Sequence, residues 1–389
     1  MATYRLQSYQ EELFVSQDWV RRTVGGICSV DELIHACIVS LESLYDDRHG
    51  LFVHKRDLLT RLNLDTSLRY SAIALIGLYE AKAAGYDTRL PLGDIAASVA
   101  QAARSARNVG DVALSLWASV GGSTGHELPL WTILRNHDQL RGAGKIRLCE
   151  SMELAWVTTA LILLWERTGI DDARRLADVV RGRLAEARSS RTGLFAYTGQ
   201  NSYWSLSGYA HRRFGTFANQ SYPIYALATY GHVLRDEEAL RQAEQCADAV
   251  VRLQGDSGQW WWVYDVLRGC VAEKYPVFSV HQHGMGPMAL DRIRLAGGKP
   301  YAAPIERSLR WLVRNELNAP MIDPVSHHFR RAILRRGASR YLYHLNIAAT
   351  ALGLRSVRVL DFPARLKVLE QTRPYCLGWA LLYLCGTRN

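Results

Sequence analysis

Ser71-Ala72-Ile73-Ala74-Leu75-Ile76-Gly77-Leu78 presents apolar or small side chains in every direction a helix can point. Asp171-Asp172-Ala173-Arg174-Arg175 and Asp236-Glu237-Glu238-Ala239-Leu240-Arg241 instead open helix-period stretches that are charged on one face. A helix apolar all round belongs inside a protein, and one with a charged face belongs outside. The two classes alternate along the chain. Apolar spacing predicts seven outer–inner pairs: 30–44 with 67–84, 92–107 with 112–120, 128–136 with 148–167, 171–187 with 217–234, 237–253 with 279–295, 305–317 with 341–354, and 363–370 with 375–385. Repeated hairpins over 389 residues predict an all-α fold of two concentric rings, an (α/α)6 or (α/α)7 toroid. We expect one domain over residues 1–389, with 1–27 as an N-terminal lead-in.

Loop lengths are uneven in a way that points to a site. Inner-to-outer joins are short, Gly169-Ile170 or Arg235 alone. Four outer-to-inner joins are long: residues 46–66, 189–216, 254–278 and 318–340. Each carries a turn: Asp47-Arg48-His49-Gly50-Leu51-Phe52, Ser190-Arg191-Thr192-Gly193-Leu194-Phe195, Gly255-Asp256-Ser257-Gly258-Gln259-Trp260 and, without its Gly, Asp323-Pro324-Val325-Ser326-His327-His328-Phe329. Long loops rich in aromatic and polar residues tend to carry function. All four emerge where the inner helices begin, and free N–H groups and the helix dipole there favour anionic or oxygen-rich ligands. That mouth is the expected site.

Bulk properties exclude several classes. The composition, 48% hydrophobic and 22% charged, is that of a globular protein. The apolar run Leu154 to Trp165 contains Thr158 and Thr159 and is too short to span a bilayer. No signal core follows Met1, so a cytoplasmic protein is expected. Seven cysteines without a CxxC pair read as reduced core thiols. The net charge of +10 comes almost wholly from arginine, with six lysines and no run of five basic residues. That spread argues against a nucleic-acid patch and suits a small acidic substrate equally well. The chain lacks a Gly-rich phosphate loop, HExxH, GxSxG, and the aspartate motifs DDxxD and DxDD. No cofactor or metal is expected, and the oligomeric state is not readable.

Candidate chemistry gathers at the starts of the inner helices. In Ser279-Val280-His281-Gln282-His283-Gly284-Met285-Gly286, His281 and His283 diverge by about 200° on a helix and do not make a metal pair. Either is a candidate for proton transfer. Trp260, Trp261 and Trp262 cannot all enter one core, since neighbouring side chains of an extended segment point oppositely. One at least is expected to offer a face to sugar or to a cation. Asp265 and Tyr275 follow in the same loop. Glu150 and Glu153, three apart, open the third inner helix, either as caps or as an acid/base group. Arg69 and Tyr70, Asn219, Gln220 and Tyr222, Tyr343, His344 and Asn346, and Tyr375 are expected at equivalent points of the other inner helices. His137 and Asp138 read as the end of a helix.

The hairpin array with its turns resembles the toroid group that includes six-hairpin glycosidases, N-acylglucosamine-type epimerases, and uronyl hydrolases and lyases. Ala338-Ser339-Arg340-Tyr341-Leu342-Tyr343-His344-Leu345-Asn346-Ile347 is similar to a segment of glucuronyl C5-epimerase C-terminal domains, with Asn346 where that pattern has its second His. Leu253-Gln254-Gly255-Asp256-Ser257-Gly258-Gln259-Trp260 resembles the QW turn of squalene-cyclase and prenyltransferase toroids. His283-Gly284-Met285-Gly286 resembles lanthionine cyclases but lacks their Cys-His-Gly zinc signature. These resemblances imply an enzyme on an acidic or oligomeric sugar. Trp260–Trp262 would stack on the sugar and Arg69 would hold its anion. Glu150 or Asp265 would serve as acid or base, and His281, His283 or Tyr275 would complete proton transfer. A terpenoid-cyclase-like enzyme and a non-catalytic partner of a biosynthetic complex are the alternatives. A polar mouth would favour the first reading, a dry aromatic cavity the second.

Overall fold

The computed structural model describes residues 29–141, 149–199, 206–323, 326–337, 339–354 and 365–386. The lead-in 1–27, part of the loop 189–216 and Ala338 lie outside the described residues. The helices are α1 Val30–Ser43, α2 Leu68–Ala83, α3 Leu92–Ala103, α4 Val109–Gly122, α5 Glu127–Arg135, α6 Ser151–Thr168, α7 Asp171–Glu186, α8 Leu206–Arg213, α9 Ala218–Leu234, α10 Glu237–Arg252, α11 Gly286–Leu295, α12 Ala302–Arg310, α13 Ser339–Leu352 and α14 Pro374–Gly386, with a helical turn at Asp138–Arg141. A π-helical turn, His281–Met285, leads into α11.

The inner ring runs α2, α4, α6, α9, α11, α14, and α14 packs back on α2. The outer helices α1, α3, α5, α7, α10 and α12 lie around it. The fold is therefore an (α/α)6 toroid. The burial asymmetry explains the sorting. In α2 every residue from Ser71 to Leu78 is buried, whereas α7 buries only Ala173, Ala177, Val180 and Leu184, a single stripe at helical spacing. Ring closure depends on two glycines. A Cβ on Gly77 would sit 2.2 Å from the Gly378 carbonyl oxygen, and one on Gly378 would sit 2.4 Å from that of Ile73. Backbone meets backbone where the first and last inner helices cross.

Two expected helices did not join the ring. Residues 341–354, read as an inner helix, fall in α13, which lies outside the ring against the β-hairpin that follows α10. Tyr341, Leu345 and Leu352 on it are 81%, 50% and 75% exposed, so its apolar character does not reflect burial. Residues 366–369, read as part of an outer helix, form a strand whose Leu366 is buried and Lys367 exposed.

The ten short strands among the described residues all lie in the outer-to-inner joins. β2 (Leu51–Asp57) pairs with β1 (Tyr45–Asp46), β3 (Asn63–Thr66) and β10 (Gln371–Thr372), the last in register Gln371 with Asp57. That pairing ties the approach to α14 to the approach to α2 and buttresses the closing joint. β4 (Phe214–Thr216), β5 (Val263–Asp265) and β6 (Cys270–Glu273) form a second sheet, and β7 (Val277–Phe278), β8 (Ala332–Arg335) and β9 (Leu366–Leu369) a third. Together these sheets build the mouth. No helix among the described residues is long and apolar enough to cross a membrane.

Candidate functional site

The inner helices begin with local caps that turn side chains toward the mouth. Ser67 Oγ accepts from Tyr70 N on α2, and Asn108 Oδ1 accepts from Gly110 N on α4 at 2.9 Å. Glu150 and Glu153 form a reciprocal capping box on α6. Glu153 is buried and accepts from Asn108 Nδ2, so it joins α4 to α6. Glu150 is half-buried and accepts a hydrogen bond from the Tyr197 hydroxyl. Beside it, Arg69 Nε donates to Asp111 Oδ1 at 2.6 Å, and the Arg69 guanidinium lies 5.2 Å from the Trp156 ring centroid. Asp111, Glu150 and Arg69 make the acidic side of the mouth.

The facing side is cationic and aromatic. Tyr70 stacks between Tyr375, at 4.6 Å, and His54, at 5.1 Å. Arg373 Nη1 donates to the Tyr70 hydroxyl, and Arg331 lies 5.1 Å from the Phe278 ring. Arg331 Nη1 and Arg373 Nε are buried and meet no acceptor, and neither guanidinium has a carboxylate partner among the described residues. Neighbouring groups register this field. Burial first, then the charges of Arg373, Arg331 and Lys55, lowers the His54 pKa. Burial also pushes the Tyr375 phenol well up. Buried donors without acceptors next to two unpaired positive charges make a site for an anionic oxygen group.

A third side is an aromatic stack. Trp262, half-buried, lies parallel to His281 at 6.1 Å, and Phe217 sits 4.8 Å behind it, backed by Trp260 at 5.4 Å. The floor beneath is aromatic as well. Trp156, Tyr222, Trp379, Trp117 and Tyr225 follow one another at 5.0 to 5.7 Å.

Of the residues expected at the mouth, the structure brings together Arg69, Tyr70, Glu150, Trp262, His281 and Tyr375, above Tyr222 in the floor. Others serve the scaffold. Asp265 is fully buried and bound by Arg213 at 2.8 Å, away from the mouth carboxylates. Trp260 is wholly buried, and Trp261, 8% exposed, packs edge-on against Tyr275. Tyr275 directs its hydroxyl to Glu316 at 3.3 Å. Gln220 holds both the N–H and the carbonyl of Phe195, and Asn219 donates to Ser151 Oγ at 3.1 Å. His283 ties the π turn to α14 through Nε2, 3.1 Å from the Cys376 carbonyl. His344 is exposed on α13, and Asn346 there donates to buried Glu273 at 2.8 Å, so neither stands on an inner helix. Burial alters the histidine chemistry too: it lowers both His281 and His283 to about 3, which keeps them neutral rather than poised at neutral pH.

Sequence reasoning missed Asp111, Arg331, Arg373, His54 and Tyr197. Asp111 was visible as an acid in the first turn after the cap Asn108, a position that reads equally as dipole compensation. Arg373 precedes Pro374-Tyr375 at the start of the last inner helix, much as Arg69 precedes Tyr70. Arg331 and His54 reach the mouth from strand-rich loops, and no helical period marks them.

No protein-family model matches the chain, and neither does any curated protein sequence. Solved structures do. An unsaturated glucuronyl hydrolase from Streptococcus agalactiae superposes with a TM-score of 0.60 at 10% identity, over 93% of this chain and 92% of that one. An unsaturated glucuronyl hydrolase specific for heparin gives 0.60 at 12% identity, over 91% and 95%. A possible member of the GH105 family from Salmonella enterica serovar Paratyphi A gives 0.58 at 13% identity, over 92% and 93%. At this level of identity the likeness is one of fold, and it extends over nearly the whole length of each chain: this protein has the (α/α)6 toroid of those hydrolases.

Proposed function

We propose that the chain is a carbohydrate-active enzyme that hydrolyses an acidic sugar at the mouth of the ring. One observation carries this: Arg331 and Arg373 hold buried, unpaired N–H donors beside the Tyr70–Tyr375 stack, while Asp111 and Glu150 line the other side of the same mouth. The arginines would hold the sugar's carboxylate or sulfate, and the aromatic faces would pack on its ring. Arg69, already committed to Asp111, would orient that carboxylate rather than bind the substrate anion. Glu150, held by Tyr197 and the start of α6, would donate a proton to the departing oxygen, and Asp111 would receive one from water or stabilise positive charge at the sugar carbon. Tyr375 is pushed up and His281 pushed down by burial, so neither is a ready base at neutral pH. That favours two-carboxylate hydrolysis over elimination or epimerisation from a Tyr or His base. The fold neighbours lend support, one of them a variant complexed with dGlcA-GalNAc6S. The charged rim favours a sugar over an uncharged olefin.

The test is a panel of saturated and unsaturated uronate disaccharides, sulfated and unsulfated, with products followed by mass spectrometry. Glu150→Gln and Asp111→Asn should each lower kcat by about 10²–10⁴. Arg331→Gln and Arg373→Gln should raise KM for acidic substrates and leave neutral analogues unaffected. Full activity in both carboxylate variants would overturn the proposal.

A further inference from the structure

At the opposite end of the ring, the C-terminal halves of α2, α9, α11 and α14 enclose a second cavity of about 290 Å³. Its lining includes Glu80, Tyr225, Asp291, Arg292, Met288 and Leu382. Tyr225 also touches Trp117, at 5.2 Å, so the aromatic floor of the mouth is the ceiling of this cavity. The volume is at the small end of ligand pockets, which run from about 300 Å³ upward.

Two buried acids elsewhere pair directly with arginines, Asp265 with Arg213 at 2.8 Å and Glu273 with Arg335 at 2.7 Å. Asp291 likewise pairs with Arg294, at 2.7 Å. Glu80 does not. Among the described residues nothing hydrogen-bonds to its carboxylate and no cation lies within ion-pair distance, although Arg292 is near enough to oppose the rise that burial imposes on its pKa. Among the described residues Arg292 donates only to Thr229 Oγ1, at 3.1 Å, and has no carboxylate partner. The Tyr225 phenol is pushed up to about 12 by burial, offset in part by Arg292. A carboxylate and a guanidinium thus share one cavity without closing on each other, and both lack what the other kind of group would supply. Both side chains are half-buried and line the cavity, so their unmade bonds are open to water or a ligand. Four helix C-termini converge here and add partial negative charge, which favours a cation beside Glu80.

We propose that this cavity is a binding site for a small zwitterion of the amino-acid class, its ammonium on Glu80, its carboxylate on Arg292 and its apolar part against Met288 and Leu382. The two ligand charges fill the gap between the two protein charges, and the aliphatic lining suits a branched apolar side chain. The site is separated from the mouth by the aromatic floor, so its occupancy does not depend on the sugar reading.

The full chain is titrated calorimetrically with L-leucine, with isopentylamine, which lacks the carboxylate, and with 4-methylpentanoate, which lacks the amine. Leucine should bind at least tenfold more tightly than either fragment. Glu80→Gln, which keeps the shape, and Arg292→Met should each weaken leucine by tenfold or more, with circular dichroism unchanged, and Glu150→Gln at the mouth should leave leucine binding as it was. Glu80→Gln should also unfold no more easily than the parent, since it removes a half-buried acid that has no ion-pair partner among the described residues. Absence of leucine binding at millimolar concentration, 4-methylpentanoate binding as tightly as leucine, or full leucine affinity in Glu80→Gln would each overturn the proposal.

Discussion

Asp265 read from sequence as a catalytic carboxylate and is held in the structure as half of a buried ion pair, and replacing it separates the two roles. Oδ2 accepts from Arg213 Nε at 2.9 Å and from Nη2 at 2.8 Å, while Oδ1 accepts from the N–H groups of Leu267 and Arg268 at 3.0 Å each. The two side chains are 0% and 8% exposed. Removing one partner of such a pair leaves a buried charge uncompensated and costs about 3–5 kcal/mol. Asp265→Asn keeps an oxygen for the two backbone donors and should fall near about 3 kcal/mol; Asp265→Ala also orphans those donors, at about 1 kcal/mol or more apiece, and should approach 5. With a urea m-value of about 3 kcal/mol/M, Asp265→Asn should lower the unfolding midpoint by about 1 M without changing m. The double variant Arg213→Met/Asp265→Leu should recover more than half of that loss, because the stranded charge goes with its partner. Activity per folded molecule should stay within about twofold, since neither residue reaches the mouth. An unmoved midpoint with activity lost would refute this reasoning and return Asp265 to the chemistry.

Three further outcomes are expected. Gly77→Ala at the closing joint should destabilise by at least about 1–3 kcal/mol in chemical denaturation, because its Cβ would meet the Gly378 carbonyl at 2.2 Å and backbone cannot rotate away. Trp260→Ala, at a fully buried site, should cost about 3–5 kcal/mol, whereas half-buried Trp262→Ala should leave the unfolding midpoint nearly unchanged and raise KM. Burial lowers His281 and His283 to about 3 and His328 to about 4, below the ordinary value of 6.5, so the unfolded chain binds more protons than the fold across that interval. Their contribution is intact above pH 6.5 and is lost as pH falls toward 3–4, by up to about 1.4 kcal/mol per pH unit for each imidazole. Urea midpoints measured between pH 7 and 4 should fall more steeply in the parent than in His283→Asn.

The sequence by itself determined the ring. Helices such as α2, buried on every side, and helices such as α7, buried along one stripe, differ in composition because burial acts on each residue separately, and that difference is local enough to read. The unequal loops likewise marked the mouth, and Glu150 read as a cap or acid/base group at the start of an inner helix. What the sequence could not show was partnership. Apolar spacing read residues 341–354 as an inner helix, whereas in the structure α11 packs directly on α14 and α13 lies against the hairpin outside. Asp265 and Glu150 are both carboxylates of outer-to-inner joins, and only the arrival of Arg213, 52 residues earlier in the chain, locks one of them into a buried ion pair. Arg331 and Arg373 are the proposed anion grip because tertiary packing gave Arg69 a carboxylate and, among the described residues, gave them none. Charge balance at a site is a sum over neighbours brought together by the fold, and no periodicity encodes that sum.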